Sequence, residues 1–206
     1  MGQKIGSGSF GEVYQGITND KGIIFAVKRL NMVGQKDEID NLISEIDVMK
    51  NLEKHDNIVH YLGSKVDEKL MVFLLFFKKY LRYCSTIIIY FPFINFKLVN
   101  IFQEWMPGGS VADLLKKFGP FPLGQIKSYS LQILTGLEFL HKNEVIHRDI
   151  KGGNILVDEM GVVKLADFGA SSRMQSGKTV DMTTIKGTPF FMAPEVLNSG
   201  KNSLFY

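Results

Sequence analysis

Eight consecutive residues, His147 to Asn154 (HRDIKGGN), constrain this chain more than any other stretch. They combine a carboxylate that can act as a base, Asp149, with two cations, Arg148 and Lys151, and the amide of Asn154, a potential metal ligand. The octet lies between apolar runs, and its paired glycines are typical of a turn. A solvated surface loop does not need this density of chemistry, so the octet predicts a functional site.

Composition bounds the class of protein. The chain has 206 residues, 45% hydrophobic and 22% charged, which is typical of one or two soluble globular domains. Its formal charge is +3, but residues 71–98 hold four cations and no acid, so the remainder carries −1 and gives no argument for nucleic-acid binding. The single cysteine, Cys84, and the start at Met1 without an apolar signal core favour a cytoplasmic protein.

The beginning of the chain is rich in glycine. Gly6, Gly8 and Gly11 form a G-x-G-x-x-G pattern, and the turn residues 19–22 precede the β-rich run GIIFAVKRL. A plain strand-turn-strand unit is enough to explain these glycines. The dinucleotide-binding interpretation fails because a strand, and no helix, follows them.

A lysine and a glutamate form a second candidate pair. Lys28 lies on the apolar strand FAVK, where a lysine that snorkels from a strand end is the alternative interpretation. Residues 38–52 have the apolar spacing of an amphipathic helix, and Glu45 lies within its apolar stripe. Because a buried carboxylate needs a cation, we expect Lys28 to be its partner. His55 and His60 have no metal-ligand neighbours, so we expect both to be structural.

Asp167-Phe168-Gly169 follows the octet and completes a known set of motifs. The pattern H-R-D, four residues, N, then D-F-G, together with the glycine motif, matches the protein-kinase signature. The chain therefore resembles the eukaryotic protein kinases of the Ser/Thr type. The segments DFGAS and GTPFFMAPEV are closest to the MAP kinase kinase kinase group. The resemblance covers nearly all of the chain outside residues 71–98.

The resemblance implies an α+β fold of two lobes. We expect a β-rich N-lobe with five strands and one helix over residues 1–103, a hinge at 104–108 and a partial, mainly helical C-lobe at 109–206. Residue 206 comes 11 residues after Glu195, so the resemblance implies a C-terminally truncated domain. In the C-lobe we expect a helix capped by Ser110, a hairpin of 155–157 with 162–165, and a long helix. The long helix should run from Leu123 to Lys142 and bury Ile126, Tyr129, Ile133, Leu137 and Leu140.

The resemblance also implies that the chain binds ATP and Mg²⁺ and phosphorylates Ser or Thr hydroxyls. Asp149 would accept the hydroxyl proton, Lys151 would lie near the γ-phosphate, and Lys28 with Glu45 would position the phosphates. Asn154 and Asp167 would hold Mg²⁺. Further residues would surround the nucleotide, with Gln103 at the gatekeeper position: Ile5, Gly6, Gly8, Gly11, Val13, Ala26, Lys28, Gln103, Glu104, Met106 and Leu156.

An activation segment is implied between Asp167 and Glu195. Phosphate on Thr183 or Thr184 would pair with Arg148 and order the segment, although a solvated Ser/Thr loop is the alternative. We expect Thr188 to hydrogen-bond Asp149 and Lys151. His147 would brace the ring of Phe168 instead of acting as a base.

Residues 71–98 interrupt the pattern. Phe, Leu, Ile, Lys, Tyr and Asn make up 21 of these 28 residues, and all six can be encoded by A and T alone. This favours a translated intron. A membrane anchor is the rival interpretation, but 83–96 supplies only 14 uncharged residues, fewer than the roughly 20 that a bilayer requires.

Two functions are compatible with these patterns. The first is a protein Ser/Thr kinase whose substrate is a MAP kinase kinase, and the full catalytic set favours it. The second is a catalytically impaired fragment that binds nucleotides or kinase partners, which the truncated C-lobe and the insertion favour.

Overall fold

A five-stranded antiparallel sheet begins the fold. The structure, a computed structural model, describes residues 2–8, 11–33, 46–71, 94–168, 171–173, 188–194 and 197. The sheet has the order β1-β2-β3-β5-β4 and so confirms the predicted five strands. The strands are β1 (Lys4–Gly8), β2 (Gly11–Ile17), β3 (Ile24–Val33), β4 (Tyr61–Met71) and β5 (Ile94–Glu104). A helical segment, α1, occupies residues 46–51.

The glycine-rich hairpin requires glycine at the start of β2. Gly11 has φ 133°, and a Cβ there would lie 2.2 Å from the carbonyl oxygen of Arg29 on β3. Any side chain would therefore be strained and would separate β2 from β3. This close approach explains the third glycine of the motif by local geometry.

The hairpin of β4 and β5 extends into the anomalous segment. Val66 pairs with Val99, and the ladder continues from there to Met71 opposite Ile94. Residues 71 and 94–98, which we assigned to the insertion, therefore belong to the paired strands, whereas residues 72–93 lie outside the described residues. If 71–98 were removed, Val66 and Val99 would be joined through four residues, Asp67 to Leu70.

We expect deletion of residues 71–98 to preserve the fold, because a four-residue connection is a common hairpin loop. Shortening the loop favours closure by about 1–2 kcal/mol, which offsets the lost outer rows of the ladder. Thermal unfolding of both forms should show midpoints within about 5 °C of each other. Loss of the cooperative transition in the shortened chain would show that the segment is integral to the domain.

Two helices follow the sheet. Helix α2 (Val111–Phe118) is capped by Ser110, whose side chain accepts from the Asp113 backbone N–H, as predicted. Helix α3 has the predicted bounds, Leu123–Lys142. Tyr129 and Leu140 are buried, but the prediction for Ile126 was wrong, since this side chain is 46% exposed. Helix α3 packs on β7 and β9, described next, whereas Leu123 in its first turn is 66% exposed.

Five short strands complete the described fold, and two of them directly precede and follow the octet. They are β6 (Gly109–Ser110), β7 (Val145–Ile146), β8 (Ile155–Val157), β9 (Val163–Leu165) and β10 (Ser172–Arg173). The predicted hairpin of β8 and β9 is confirmed, except that Val162 lies in its turn, where its N–H donates to the Asp158 carboxylate. Within the described ranges, no helix is both long and apolar enough to cross a membrane.

One continuous core joins the sheet to the helices. It runs from Leu30, Val99 and Ile101 on the large sheet to Leu140 on α3 and Phe168 beyond β9. The loop before β4 approaches α3 so closely that a Cβ on Gly136 would lie 2.9 Å from the Asn57 carbonyl oxygen. The octet therefore extends from a closely packed, buried part of the fold, which limits the movement of its side chains.

Candidate active site

The octet follows β7 and is anchored by its histidine. His147 is 1% exposed, and its ring centroid lies 5.2 Å from that of Phe168. Its Nε2 donates to the Ala166 carbonyl oxygen at 2.9 Å, while Nδ1 accepts from the Asp149 N–H at 3.4 Å. Burial lowers the pKa of the His147 imidazole, so the ring is neutral at physiological pH. The expectation that His147 braces Phe168 is confirmed.

This buried histidine predicts acid-sensitive folding. Because burial depresses the folded-state pKa below the ordinary 6.5, stability is complete above that pH and falls as the pH drops towards the folded-state pKa. The free energy of unfolding should decrease by about 1.4 kcal/mol per pH unit in this window. Urea unfolding of His147→Gln should lose this dependence, whereas exposed His141→Gln should retain it. Equal pH dependence in all three proteins would contradict the prediction.

Asp149 is the centre of a compact set of polar side chains. Thr188 donates its hydroxyl to Asp149 Oδ1 at 2.7 Å, and Lys151 Nζ lies 2.7 Å from Oδ2. Lys151 also donates to Thr188 Oγ1 at 2.8 Å. Asn154 Nδ2 donates to Oδ2 at 2.9 Å and to the Asp149 carbonyl oxygen at 2.8 Å. The predicted bonds of Thr188 to Asp149 and Lys151 are thus confirmed.

These contacts determine the charge of Asp149. Burial by itself would raise the pKa of this carboxyl group. The hydrogen bonds from Lys151, Thr188 and Asn154, with the charge of Lys151, outweigh burial and hold the pKa below its ordinary value. Asp149 is therefore an ionised acceptor that already receives a hydroxyl hydrogen bond.

An ion pair between Lys28 on β3 and Asp167, which follows β9, connects the large sheet to the region of the octet. Lys28 Nζ lies 2.6 Å from Asp167 Oδ1, and the two side chains are 12% and 26% exposed. The expected partner Glu45 lies outside the described residues, so the pairing of Lys28 with it stays a prediction. The Asp167 partner was missed, because 139 residues separate it from Lys28.

Three non-glycine positions are strained: Glu144 just before β7 (φ 57°), Arg148 within the octet and Asp167 after β9. Arg148 and Asp167 have φ angles of 66° and 64°, in the left-handed region that residues other than glycine rarely adopt. Such conformations cost on the order of 1–3 kcal/mol and cluster at functional sites. The last two place Asp149 beside Lys151 and Asp167 beside Lys28.

The donor set between Asn154 and Asp167 suits a hard cation. The Asn154 amide nitrogen is used by Asp149, so its carbonyl oxygen is the group that a cation would meet, and Asp167 supplies a carboxylate. Among the described residues, no three His, Cys, Asp or Glu side chains converge on one point. Mg²⁺ does not require such a cage, because it commonly binds one or two carboxylates together with phosphate oxygens and waters.

The residues expected around a nucleotide lie on the large sheet, in the segment after β5 and on β8. Val13 is directly opposite Lys28 in the sheet, and Ala26 lies two residues from Lys28 on the same face. Met106 is buried in a cluster with Leu156 and Ala166. Gly6 pairs with Val13 in the glycine-rich hairpin, and Gly8 pairs with Gly11. Ile5 is 44% exposed on β1.

The end of β5 contains contacts that the sequence did not indicate. The Gln103 amide donates to the Met49 sulfur at 3.6 Å. The Glu104 carboxylate accepts from the His60 N–H and from Lys164 Nζ, each at 3.0 Å. Lys164 was not singled out, and its only signal is a cation between two apolar strand residues. His55 stacks on Phe139 with centroids 4.5 Å apart, in agreement with its structural assignment.

The activation segment is described at its beginning, residues 167–168 and 171–173, and near its end, residues 188–194. Thr183 and Thr184 lie outside the described residues, so their pairing with Arg148 stays a prediction. Arg148 is partly buried, and burial lowers the pKa of its guanidinium.

Known proteins resemble this chain over almost its entire length. The model of the protein kinase domain family matches residues 1–204. Mitogen-activated protein kinase kinase kinase A of Dictyostelium discoideum is 42% identical over 95% of this chain. Mitogen-activated protein kinase kinase kinases ANP1 and 2 of Arabidopsis thaliana are 40% and 39% identical over 95% of it.

These alignments cover 18%, 26% and 27% of the three relatives' own lengths. The matched region contains the glycine-rich hairpin, Lys28, the octet and Asp167, and in the structure Lys28 is ion-paired with Asp167. The chain belongs to the protein kinase domain family, with a β-rich N-lobe followed by a helical part.

Proposed function

We propose that this chain transfers the γ-phosphoryl group of ATP to Ser or Thr hydroxyls, with a MAP kinase kinase as its substrate in a cytoplasmic signalling cascade. The observation that carries the proposal is the hydrogen bond from the Thr188 hydroxyl to the ionised Asp149 carboxylate, 2.7 Å long. The carboxylate thus accepts a hydroxyl in the same chemical form that a substrate residue presents. The names of the relatives support the choice of substrate.

Asp149 accepts the proton of the attacking hydroxyl in this proposal. Its depressed pKa keeps it ionised at neutral pH, so it is available as an acceptor, and its two oxygens orient the hydroxyl. Lys151, which now contacts both Asp149 and Thr188, supplies positive charge where charge develops on the transferred group.

Asn154 and Asp167 would hold Mg²⁺, which neutralises phosphate charge when bound. Lys28 positions Asp167 and contributes a further cation on the face of the sheet shared with Val13 and Ala26. These three residues, with Leu156 and Met106, would enclose the nucleotide, while Gly6, Gly8 and Gly11 allow the backbone to approach its phosphates. Catalysis is then mainly positioning and electrostatic stabilisation.

The test is phosphate transfer from Mg·ATP to a MAP kinase kinase whose own activity has been removed by mutation. We expect phosphate on Ser or Thr of the substrate, located by mass spectrometry of its peptides. Phosphate on Tyr would contradict the proposed specificity. ATP binding without any transfer would favour the alternative of a nucleotide-binding module, and equilibrium dialysis with ATP distinguishes this result from complete loss of the site.

A further inference from the structure

The carboxylate of Glu104 joins three separate segments. It accepts from the backbone N–H of His60, just before β4, and from Lys164 Nζ on β9, both at 3.0 Å. The Glu104 backbone N–H in turn donates to the His60 carbonyl oxygen at 3.0 Å. The His60 ring nitrogen Nδ1 is 3.6 Å from the carboxylate, too far for a hydrogen bond, so His60 contributes through its backbone.

The pair of Glu104 and Lys164, which we call the Glu104 bridge, is largely shielded from water. The two side chains are 21% and 11% exposed. A charge-assisted bond at such a position is stronger than a surface ion pair, and removal of one partner leaves the other charge poorly solvated. The proposed chemistry uses neither side chain, so the bridge needs another explanation.

The bridge connects the two sides of the expected nucleotide site. Glu104 is the last residue of β5, two residues before the buried Met106. Lys164 pairs with Leu156 in the β8–β9 hairpin, three residues before Asp167. Met106 and Leu156 pack in the same cluster. A shift of β5 relative to β9 would therefore alter the base-binding side and the position of Asp167 together.

We propose that Glu104 and Lys164 are positioning residues, which hold the segment after β5 at a set distance from the β8–β9 hairpin and so determine the affinity for the nucleotide. The inference rests on the proposed function for its nucleotide, but the positioning itself is a property of the fold. The Glu104 side chain would then hold the segment that follows it in position through its bond to Lys164.

Lys164→Met is the main test, because it removes the ammonium group and keeps an unbranched side chain. We expect the KM for ATP to rise by about 5–20-fold while kcat changes by less than about threefold. Lys164→Arg should restore KM to within about threefold, because it keeps the charge. Exposed Lys127→Met on α3 is the matched control and should change neither constant.

Hydrogen exchange tests the positioning without any activity. The backbone amides of residues 105, 106, 108 and 109 should exchange at least about threefold faster in Lys164→Met, while those of α2 and α3 keep their rates. Glu104→Gln is a second variant, in case Lys164→Met does not fold. In the double variant, Glu104→Gln with Lys164→Met, the amides should exchange no faster than in the more severe single variant, because both substitutions remove the same interaction.

The outcomes separate this inference from the proposed function. Unchanged exchange at residues 105, 106, 108 and 109, or faster exchange spread equally through α3, would overturn the positioning role. A fall in kcat for Lys164→Met with an unchanged KM for ATP would also overturn the positioning role. If the wild-type chain neither binds ATP nor transfers phosphate, the proposed function fails, and the exchange rates still decide whether the bridge positions the segment.

Discussion

Replacing Asp149 with asparagine is expected to reduce the rate of phosphoryl transfer by about 10²–10⁴-fold. An amide cannot take up the hydroxyl proton. Its carbonyl oxygen could replace Oδ2 and accept from Lys151 and Asn154, but its NH₂ group would then replace Oδ1, which accepts from the Thr188 hydroxyl in the structure. The rate should be measured in single-turnover experiments, with the affinity for ATP measured separately. The affinity for ATP should stay within about threefold, because in the proposed role Asp149 contacts the substrate hydroxyl and not the nucleotide base.

Asp158→Asn is the matched control for this prediction. Asp158 lies in the turn between β8 and β9, where Oδ1 accepts from the N–H groups of Met160 and Val162 at 2.8 Å. Asparagine can make the same two bonds, so activity should remain near wild type. Transfer by Asp149→Asn at more than a tenth of the wild-type rate would remove Asp149 from its proposed role.

Replacing Lys28 with methionine should lower kcat/KM for ATP by about 10²–10³-fold. The change removes the cation 2.6 Å from Asp167 and leaves a carboxylate that is only 26% exposed. Asp167 would then lose its orientation, and the transferred phosphate would lose a positive charge. Steady-state kinetics over a range of ATP and Mg²⁺ concentrations measure the effect.

The control for Lys28→Met is an ion pair of similar length at the surface. Lys142 lies 2.7 Å from Glu138 at the end of α3, but the side chains are 71% and 63% exposed. Such pairs contribute little, so Lys142→Met should leave kcat/KM unchanged within about twofold. Near-normal activity of Lys28→Met would show that Asp167 is oriented by other contacts.

Local patterns predicted most of the fold. The apolar spacing of α3 indicated its bounds, Leu123–Lys142, and the turn residues before β3 and between β8 and β9 indicated the hairpins. The exposed Ile126 shows the limit of prediction from periodicity. An apolar pattern identifies one face of a helix but does not show whether another element covers that face. The extension of β4 and β5 to Met71 and Ile94 was missed for a related reason. Strand pairing depends on a distant partner.

The site was predicted unevenly. The contacts of Asp149 with Lys151 and Asn154 fall within one octet, so the sequence already placed them together, and the motif extended this to Thr188. The ion pair of Lys28 with Asp167 and the Glu104 bridge join residues far apart in sequence. Their residue types gave no sign of which partners they would meet.

The sequence by itself determined the family, the order of the elements and the chemistry of the octet, because these depend on residue types at short spacing. Only the tertiary structure decided the charge of His147, the strained backbone at Asp167 and the direction of the Glu104 carboxylate. The physical reason is that burial, backbone strain and long-range ion pairs arise from packing between segments, which no local pattern encodes.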